Sequence, residues 1–364
     1  MGQFAIKEIC QKGASNLKQK ELLDKGTYAV YGASGISGYL ETYHQEEQYI
    51  GIVKDGSGIG RVDFYPPKTS LIGTMQYILP KKGFDIRYIG YCLQSLNLSS
   101  YKQGAAIPHI YFRDYGERTV KVTEDLYLQR KIVDCLDASF AHIDALKANA
   151  KKQLDDAKAL FQKALEKAME PKEGWEEKKL GYIYDVRDGT HDSPKYHETG
   201  FPLVTSKNLR RGILDMTNVN FISESDYKSI NNRSKVDVGD VLFAMIGTIG
   251  NPVYVDKAPN YAIKNMALFK VPTNQSGEFL RYYLLNDKII LKMQTESKGT
   301  TQKFVSLGYL RNFCIKIPPL SEQQAIVAQL DQLSEKVKRL QEIQEKTIKE
   351  CDALKQAILR EVFE

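Results

Sequence analysis

The sequence predicts an α+β protein in which two mixed α/β domains are separated by two long helices that form an antiparallel coiled coil. Two observations predict this fold: a tandem repeat of constant offset, and a heptad pattern of apolar residues after each globular segment. The predicted segments are a first head (1–123), a first spacer helix (124–170), a second head (171–317) and a second spacer helix (318–364). A pseudo-twofold axis is expected to relate the two halves.

The composition is that of a globular, non-membrane protein. The 364 residues are 42% hydrophobic and 26% charged, and no apolar run approaches the length of a membrane span. Five cysteines form no C-x-x-C pair, which argues against a zinc site or a disulfide scaffold and favours a reducing, cytoplasmic compartment. The first ten residues show no signal pattern, so export is not expected.

The repeat is most regular in the predicted helices. Ile132-Val133 matches Ile326-Val327 at an offset of 194 residues, and the following apolar positions keep that offset. Within the heads, Arg87-Tyr88 matches Arg281-Tyr282 at the same offset, whereas other matches drift to 190 and 195. We infer a duplicated domain whose spacer length is fixed and whose head has diversified.

Each spacer is predicted to be one helix of about 40 residues, or about 60 Å at 1.5 Å per residue. Ser321 with Gln324 predicts a capping box at the start of the second helix, and Pro171 and Gly174 are predicted to end the first. Since the second helix can cover the first only by running back along it, the pair is predicted to be antiparallel. The predicted seam consists of Ile132, Leu136, Ile143, Leu146 and Leu160 in the first helix and Ile326, Leu330, Leu333, Val337, Leu340, Leu354 and Ile358 in the second.

The heads are predicted to be mixed α/β from short apolar runs between glycine-rich turns. Residues 49–53, 241–246 and 266–271 are predicted to be strands, and residues 85–98 and 278–293 to be helices.

Positive charge is concentrated in the heads. The four segments carry net charges of +4, −1, +5 and −2 in chain order, which account for the chain's +6. Two basic modules between acidic spacers are typical of a protein that contacts a polyanion twice, although such charges are also ordinary for segments of this size.

One segment carries a family resemblance. The sequence IPPLSEQQ at 317–324, followed by Ile326-Val327 and Leu330-Asp331, resembles the conserved-region signature of specificity subunits from type I restriction–modification systems. The order head, helix, head, helix resembles that family over the whole chain. Segments 188–194 and 202–209 look like the opening of a target-recognition domain, and 31–39 with 54–60 like another type of such domain. The first copy departs from the signature, because TEDL stands at 123–126 where Pro-Pro-Leu is expected.

The resemblance implies a subunit without a catalytic centre or a cofactor of its own. Such a subunit reads a bipartite target in double-stranded DNA, one half per head, across a gap of unspecified bases. It docks two methyltransferase (modification) subunits, which use S-adenosylmethionine to methylate adenine, and restriction/translocase subunits, which use ATP.

Candidate DNA-binding residues lie in polar or glycine-rich loops of the heads. The segment 205–208 with two arginines after it is the foremost candidate, because its short side chains can bond base edges, asparagine suits adenine and arginine suits guanine. A solvated loop is the alternative for each of these segments. The predicted DNA-binding residues are Ser34, Lys54, Ser57, Arg61, His191, Thr205, Ser206, Lys207, Asn208, Arg210, Arg211, Thr300, Thr301, Gln302 and Lys303.

Two other classes of function remain open at this point. Asn251-Pro252-Val253-Tyr254 is similar to the Asn-Pro-Pro-Tyr motif of amino-methyltransferases, so a stand-alone DNA methyltransferase or nuclease with duplicated domains is the main alternative. No glycine-rich cofactor loop accompanies that motif, and a turn entering a strand is favoured for it. The five histidines show no metal-binding spacing, and a structural coiled-coil adaptor is the third class.

Overall fold

The computed structural model of the chain describes residues 1–104, 108–210, 212–296 and 304–364. The chain divides into two compact units. The first consists of Met1–Lys152 and Gln344–Glu364, and the second of Gln153–Ile343. Each unit contains one head and parts of two long helices, α4 (Leu126–Ala168) and α10 (Leu320–Phe363).

The first head is built on a four-stranded sheet of order β2-β8-β5-β6 and a three-stranded sheet of order β4-β3-β7, with β1 paired to β9. Its strands are β1 (Gly2–Ala5), β2 (Cys10–Ala14), β3 (Tyr28–Gly32), β4 (Gly35–Leu40), β5 (Tyr49–Val53), β6 (Val62–Tyr65), β7 (Ser70–Leu71), β8 (Met75–Pro80) and β9 (Thr119–Val122). Its helices are α1 (Ile6–Ile9), α2 (Ile86–Ser95) and α3 (Phe112–Tyr115), with 3-10 turns at Gln19–Glu21 and Leu98–Tyr101.

The second head has a four-stranded sheet of order β11-β19-β16-β17, a three-stranded sheet of order β15-β12-β18, and the pairs β13–β14 and β10–β20. Its strands are β10 (Glu176–Lys179), β11 (Asp185–Asp188), β12 (Phe201–Thr205), β13 (Leu209–Arg210), β14 (Ile213–Leu214), β15 (Asn220–Ile222), β16 (Val241–Ala244), β17 (Gly250–Tyr254), β18 (Ala262–Lys264), β19 (Met266–Lys270) and β20 (Cys314–Ile317). Its helices are α5 (Leu180–Ile183), α6 (Glu224–Ser234), α7 (Gly277–Leu285), α8 (Asp287–Thr295) and α9 (Leu307–Asn312), with a 3-10 turn at Ser206–Asn208.

The two heads share one topology, as the repeat predicts. In each, the strand after the first short helix lies at the edge of the four-stranded sheet, and the three-stranded sheet contains one parallel pair, β3 with β7 and β12 with β18. The central strands are buried along their whole length, because β5 and β16 are continuous apolar runs covered on both faces.

One predicted helix of the second head is two helices. The sequence predicts a single helix over 278–293, whereas α7 ends at Leu285 and α8 begins at Asp287. The prediction was wrong because Asn286 interrupts the pattern. Its side chain accepts a hydrogen bond from the Lys288 N–H at 2.9 Å, which caps the second helix.

A buried glutamine joins each spacer helix to the head that precedes it. Gln129 Oε1 accepts a hydrogen bond from Asp85 N–H at 2.6 Å, and Gln323 Oε1 accepts one from Ser276 N–H at 2.9 Å. Asp85 and Ser276 are the N-caps of α2 and α7, so the two contacts are equivalent. Both glutamine side chains are fully buried.

The capping box predicted at Ser321 is wrong. The helix begins earlier, at Leu320, directly after Pro318-Pro319, and Ser321 lies within its first turn. Gln323 makes the polar contacts there, donating from Nε2 to the Pro318 carbonyl and to Gln275 Oε1 at 2.9 Å each.

Within the first unit, α4 and α10 run antiparallel. Asp144 pairs with Lys355 at 2.6 Å, and Lys147 pairs with Asp352. Because the α4 number rises by three while the α10 number falls by three, the two helices point in opposite directions, as predicted.

The seam differs in part from the predicted one. Leu136, Ile143, Ile326 and Leu330 are buried, and Ile132, Leu333, Val337, Leu340 and Ile358 are half-buried. Leu146, Leu160 and Leu354 are 57%, 58% and 49% exposed, so assigning these three to the seam was wrong. On α4, every second inward-facing position of the predicted heptad pattern lies one residue further along the helix than predicted. Phe140 is one of these positions. Its ring packs against Tyr91 of α2 and lies beneath the Lys355 ammonium.

Candidate nucleic-acid interface

The loop after β11 carries the first group of candidate residues in the second head. Gly189 is required where this loop passes β18, since a Cβ there would lie 2.4 Å from the Ile263 carbonyl oxygen. The loop is held to the sheet by Thr190 N–H, which donates to the same carbonyl at 3.0 Å. His191 follows, and its side chain is 58% exposed.

His191 is fixed between two acceptors. Its Nδ1 lies 2.8 Å from Asn265 Oδ1 and its Nε2 lies 2.8 Å from Asp188 Oδ2. The hydrogen bonds to Asn265 and to Asp188 raise the pKa of His191 above its ordinary value. Burial raises the pKa of Asp188, but hydrogen bonds from Arg233 and His191 outweigh burial and leave that pKa below its ordinary value. The site therefore favours a protonated, cationic His191.

Asn265 brings the two predicted loops of the second head together. Its backbone has a left-handed conformation with φ of 53°, and its N–H donates to the Thr190 carbonyl at 3.1 Å. Its own carbonyl accepts a hydrogen bond from Ser206 Oγ at 3.0 Å. The His191 loop and the 205–208 turn thus share one anchor.

Asn208 is a structural residue rather than a reader of adenine. It is 5% exposed, and its Oδ1 accepts from Thr205 N–H at 2.9 Å and from Thr205 Oγ1 at 3.1 Å. Its Nδ2 donates to the carbonyls of Asp215 and Asn218 at 2.9 and 3.1 Å. Because the amide is enclosed and every group on it is paired, the predicted base contact by Asn208 is corrected.

The same turn presents its cations to solvent. Lys207 and Arg210 are exposed. Arg210 Nε donates to the Lys207 carbonyl at 3.0 Å, and its Nη1 lies 3.6 Å from an Asp215 carboxylate oxygen. Both cations are therefore accessible from solvent, although Arg210 is partly held by these two contacts.

Five of the predicted residues lie outside the described part of the chain: Arg211, Thr300, Thr301, Gln302 and Lys303.

In the first head, the candidates occupy two neighbouring turns. Ser34 is exposed at the tip of the β3–β4 hairpin, and Ser57 is exposed in the turn between β5 and β6. Arg61 joins the turns: its guanidinium contacts the Ala33 carbonyl oxygen, and its Nε lies 2.8 Å from Asp63 Oδ2. Gly60, with φ of 83°, is a tight-turn residue, because a Cβ there would lie 2.5 Å from the Ser99 nitrogen.

Lys54 is the first residue of the turn between β5 and β6, and it contacts a different segment of the head from Ser57 and Arg61. Its carbonyl accepts a hydrogen bond from Ile110 N–H at 3.0 Å, and its half-buried side chain lines a cavity of the first head.

Asn265 and Arg233 are site residues that the sequence analysis missed. Arg233 contacts Asp188 from helix α6, and both residues act through partners distant in sequence. Of the two, only Asn265 could have been suspected from the sequence. It is an asparagine between two short apolar runs, and asparagine is one of the residues that tolerates a positive φ in a tight turn.

The methyltransferase-like motif enters a strand from a left-handed residue, since Asn251 has φ of 48° and the β16–β17 register is irregular there. Asn251-Pro252-Val253-Tyr254 lies in β17, in line with the favoured interpretation. Within the described ranges, no cluster of three or more His, Cys, Asp or Glu side chains is arranged to hold a metal ion. In the same ranges, no helix has the length and apolar character needed to cross a membrane.

Comparison with known families finds one match in each half of the chain. The profile described as "Type I restriction modification DNA specificity domain" matches residues 1–156 and 172–349.

Two sequence relatives are specificity subunits. The Type I restriction enzyme EcoKI specificity subunit of Escherichia coli (strain K12) is 24% identical over 310 residues, a match that covers 77% of this chain and 64% of that subunit. The Type I restriction enzyme MjaVIII specificity subunit of Methanocaldococcus jannaschii is 24% identical over 336 residues, covering 86% of this chain and 77% of that subunit. The chain thus matches less than two thirds of the E. coli subunit.

Solved structures share the fold. A chain from a structural study of complex assembly and conformational transition in the type I R-M system superposes with a TM-score of 0.73 at 19% identity, covering 98% of this chain and 96% of that one. The HsdS subunit from Thermoanaerobacter tengcongensis gives a TM-score of 0.52 at 18% identity, covering 98% of this chain and 95% of that one. At these identities the likeness concerns the fold alone.

Proposed function

The chain belongs to the family of type I restriction–modification DNA specificity domains, and we propose that it is the specificity subunit of such a system. It reads a bipartite target in double-stranded DNA, with one half-site for each head. The observation that carries the proposal is the duplication itself: two heads of one topology, each joined to a spacer helix through an equivalent buried glutamine.

Each head supplies a different set of polar groups for its half-site. In the second head, Lys207 and Arg210 are exposed on one turn, and His191, whose pKa is raised by its hydrogen bonds to Asn265 and Asp188, is held on the neighbouring loop. In the first head, Ser34 and Ser57 are exposed on adjacent turns. Cations on these loops neutralise phosphates, and the neighbouring polar side chains contact base edges, so the sequence of each half-site depends on its own head.

The partners are two modification subunits and, in the restricting complex, restriction/translocase subunits. Both units expose leucine or isoleucine on the long helices: Leu146 and Leu354 in the first unit, and Leu160 and Ile343 in the second, each 49–59% exposed. A modification subunit bound to the helices of each unit would cover these side chains from water, which gives two copies in the complex.

The chain is proposed to be non-catalytic. S-adenosylmethionine would be bound by the modification subunits and ATP by the restriction subunits. Purified alone, the chain is expected neither to methylate nor to cleave DNA. Methyl transfer by a preparation shown by mass spectrometry to be free of partner subunits would contradict the proposal.

DNA binding tests the proposal directly. The full chain assembled with its modification subunits should bind target duplex with an affinity that falls steeply between about 50 and 200 mM salt, because basic heads release counterions from the phosphates. An affinity that does not change with salt would contradict it.

A further inference from the structure

The first head contains a cavity lined by basic side chains. The cavity has a volume of about 310 Å³ and opens between β2, the end of β5 and the segment before α3. Its polar lining consists of Lys12, Lys54, Gln76, His109, Tyr111 and Arg113.

The charged side chains that line this cavity are all basic, and two of them, Lys12 and Lys54, are not compensated by a carboxylate of the described residues. No carboxylate is part of the lining. Lys12 and Lys54 form no ion pair with any residue that the structure describes. Arg113 lies 3.5 Å from Asp114 but is 73% exposed, and His109 is already paired with Asp55 outside the cavity. Three cations therefore surround a space that an anion would neutralise.

Gln76 adds a buried polar group to the wall. It is 6% exposed, and its Nε2 is enclosed with no hydrogen-bond partner among the described residues. Leaving such a group unpaired costs about 1–3 kcal/mol. The neighbouring polar group is the buried Tyr115 hydroxyl, so this amide lies behind the wall and supports the cavity rather than reaching into it.

Strand register identifies the equivalent positions of the second head. Ile110 N–H donates to the Lys54 carbonyl as Val305 N–H donates to the Met245 carbonyl, so Lys54 corresponds to Met245. The ladders then place Gln76, which pairs with Ala14 and Ile52, at the position of Ala267, which pairs with Asp188 and Phe243.

The same comparison extends to the other two cations. Lys12 corresponds to Val186, two residues before the strand end in both copies, and Arg113 corresponds to Gly308, the second residue of the equivalent short helix. All four polar residues are therefore apolar or glycine in the second head. The equivalent strands and short helix of the second head form without these four side chains.

We propose that this cavity binds a phosphate group. With DNA as its source, which rests on the proposed function, the group is a backbone phosphodiester beside the half-site read by the first head. A nucleobase fits less well, because the aromatic rings of the lining already have partners. His109 lies 4.1 Å from the Tyr111 ring and the Arg113 guanidinium 4.6 Å from it, and Phe112 packs edge-on against Tyr115. Free inorganic phosphate is the other source of the same chemistry.

The test replaces cavity residues by those of the second head. Lys54→Met and Lys12→Val are made in the full chain, with Lys151→Met on the exposed surface of α4 as the matched loss of a lysine. Thermal unfolding checks that each variant folds. One arm measures DNA affinity of the assembled complex against salt concentration. The other measures the shift in unfolding temperature of the full chain with inorganic phosphate, at constant ionic strength set with chloride.

The expected result is that Lys54→Met lowers the slope of log affinity against log salt by about 0.9, the value for one phosphate contact, while Lys151→Met does not. Between 50 and 200 mM salt this is a difference of about 3.5-fold. Lys12→Val should weaken binding equally for target and unrelated duplex, since a phosphate carries no sequence.

The two arms separate the sources. An unchanged DNA slope, with phosphate raising the unfolding temperature of the wild type but not of Lys54→Met, would assign the cavity to free phosphate. No effect of either variant in either arm would overturn the proposal. Failure of the wild-type complex to bind DNA would refute the proposed function, and the phosphate arm would still decide the cavity.

Discussion

Replacing Asn208 by alanine separates a structural role from a base-reading role. The wild-type side chain makes four hydrogen bonds at 2.9–3.1 Å while only 5% exposed. Asp215 is half-buried and Asn218 exposed, so water can replace the donor at their carbonyls. The loss falls mainly on the Thr205 N–H, which would be left without its acceptor at a cost of about 1–3 kcal/mol.

That cost predicts local opening of the turn. An opening free energy lower by 1–3 kcal/mol corresponds to amide exchange about 5- to 150-fold faster, because 1.4 kcal/mol is a factor of ten. Hydrogen–deuterium exchange at Thr205, followed by mass spectrometry of the full chain, measures it. Lys207→Ala, on the exposed neighbour, should leave exchange unchanged and weaken DNA binding.

The outcome that refutes this reasoning is specific. If Asn208→Ala leaves exchange at Thr205 unchanged and instead relaxes the preference for adenine at one position of the target, Asn208 reads a base and the hydrogen bonds assigned to it do not hold the turn.

Three further predictions concern the loop anchor, the head-to-helix joint and the spacer. The pKa of His191 is raised on folding, so the stabilisation that His191 gives its loop should be present while the ring is protonated and lost as pH rises through that pKa. Amide exchange at Asn265 should then accelerate with pH by more than the intrinsic exchange rate does. The variant His191→Gln should abolish this additional acceleration. Gln323→Leu should lower the unfolding temperature measured by calorimetry, since it leaves the Ser276 N–H and the Pro318 carbonyl unpaired at about 1–3 kcal/mol each. The same change at the exposed neighbour, Gln324→Leu, should not lower it. Equal unfolding temperatures of the two variants would show that Gln323 does not stabilise the contact between helix and head. Inserting four residues after both Ala150 and Gln344 should lengthen the helix pair by about 6 Å. The gap between half-sites should then widen by one or two base pairs at about 3.4 Å each, which methylation mapping would measure. An active insertion variant with an unchanged gap would show that the spacer helices do not set the distance between half-sites.

Elements built from local sequence could be predicted, and those decided by packing could not. Strand β5 follows from a continuous apolar run between turns, and α2 from its Asp85 cap. The seam of α4 was predicted only in part. Leu136 and Ile143 are common to two heptad frames that differ by one residue at every second position. The contact of Phe140 with Tyr91, on a helix of the head, favours the frame that was not predicted. A heptad pattern alone does not contain that contact.

The candidate site shows the same limit. Polar side chains at 205–208 suggest a solvent-facing loop, yet Asn208 is enclosed by carbonyls of residues seven and ten positions further on, where the chain returns after the β13–β14 hairpin. Lys12, Lys54 and Arg113 come together from three elements separated by more than forty residues each. Only the sheet register brings them to one cavity.

The central claim is that each head reads one half of the target independently. Its most direct test is genome-wide mapping of methylated adenines in cells that carry the chain with its modification subunits, before and after residues 171–317 are exchanged for the head of another family member. If each head reads one half-site, the methylated motif is bipartite, and the exchange changes one half of it while the other half and the gap stay the same. A motif altered in both halves, or one that is not bipartite, would contradict it.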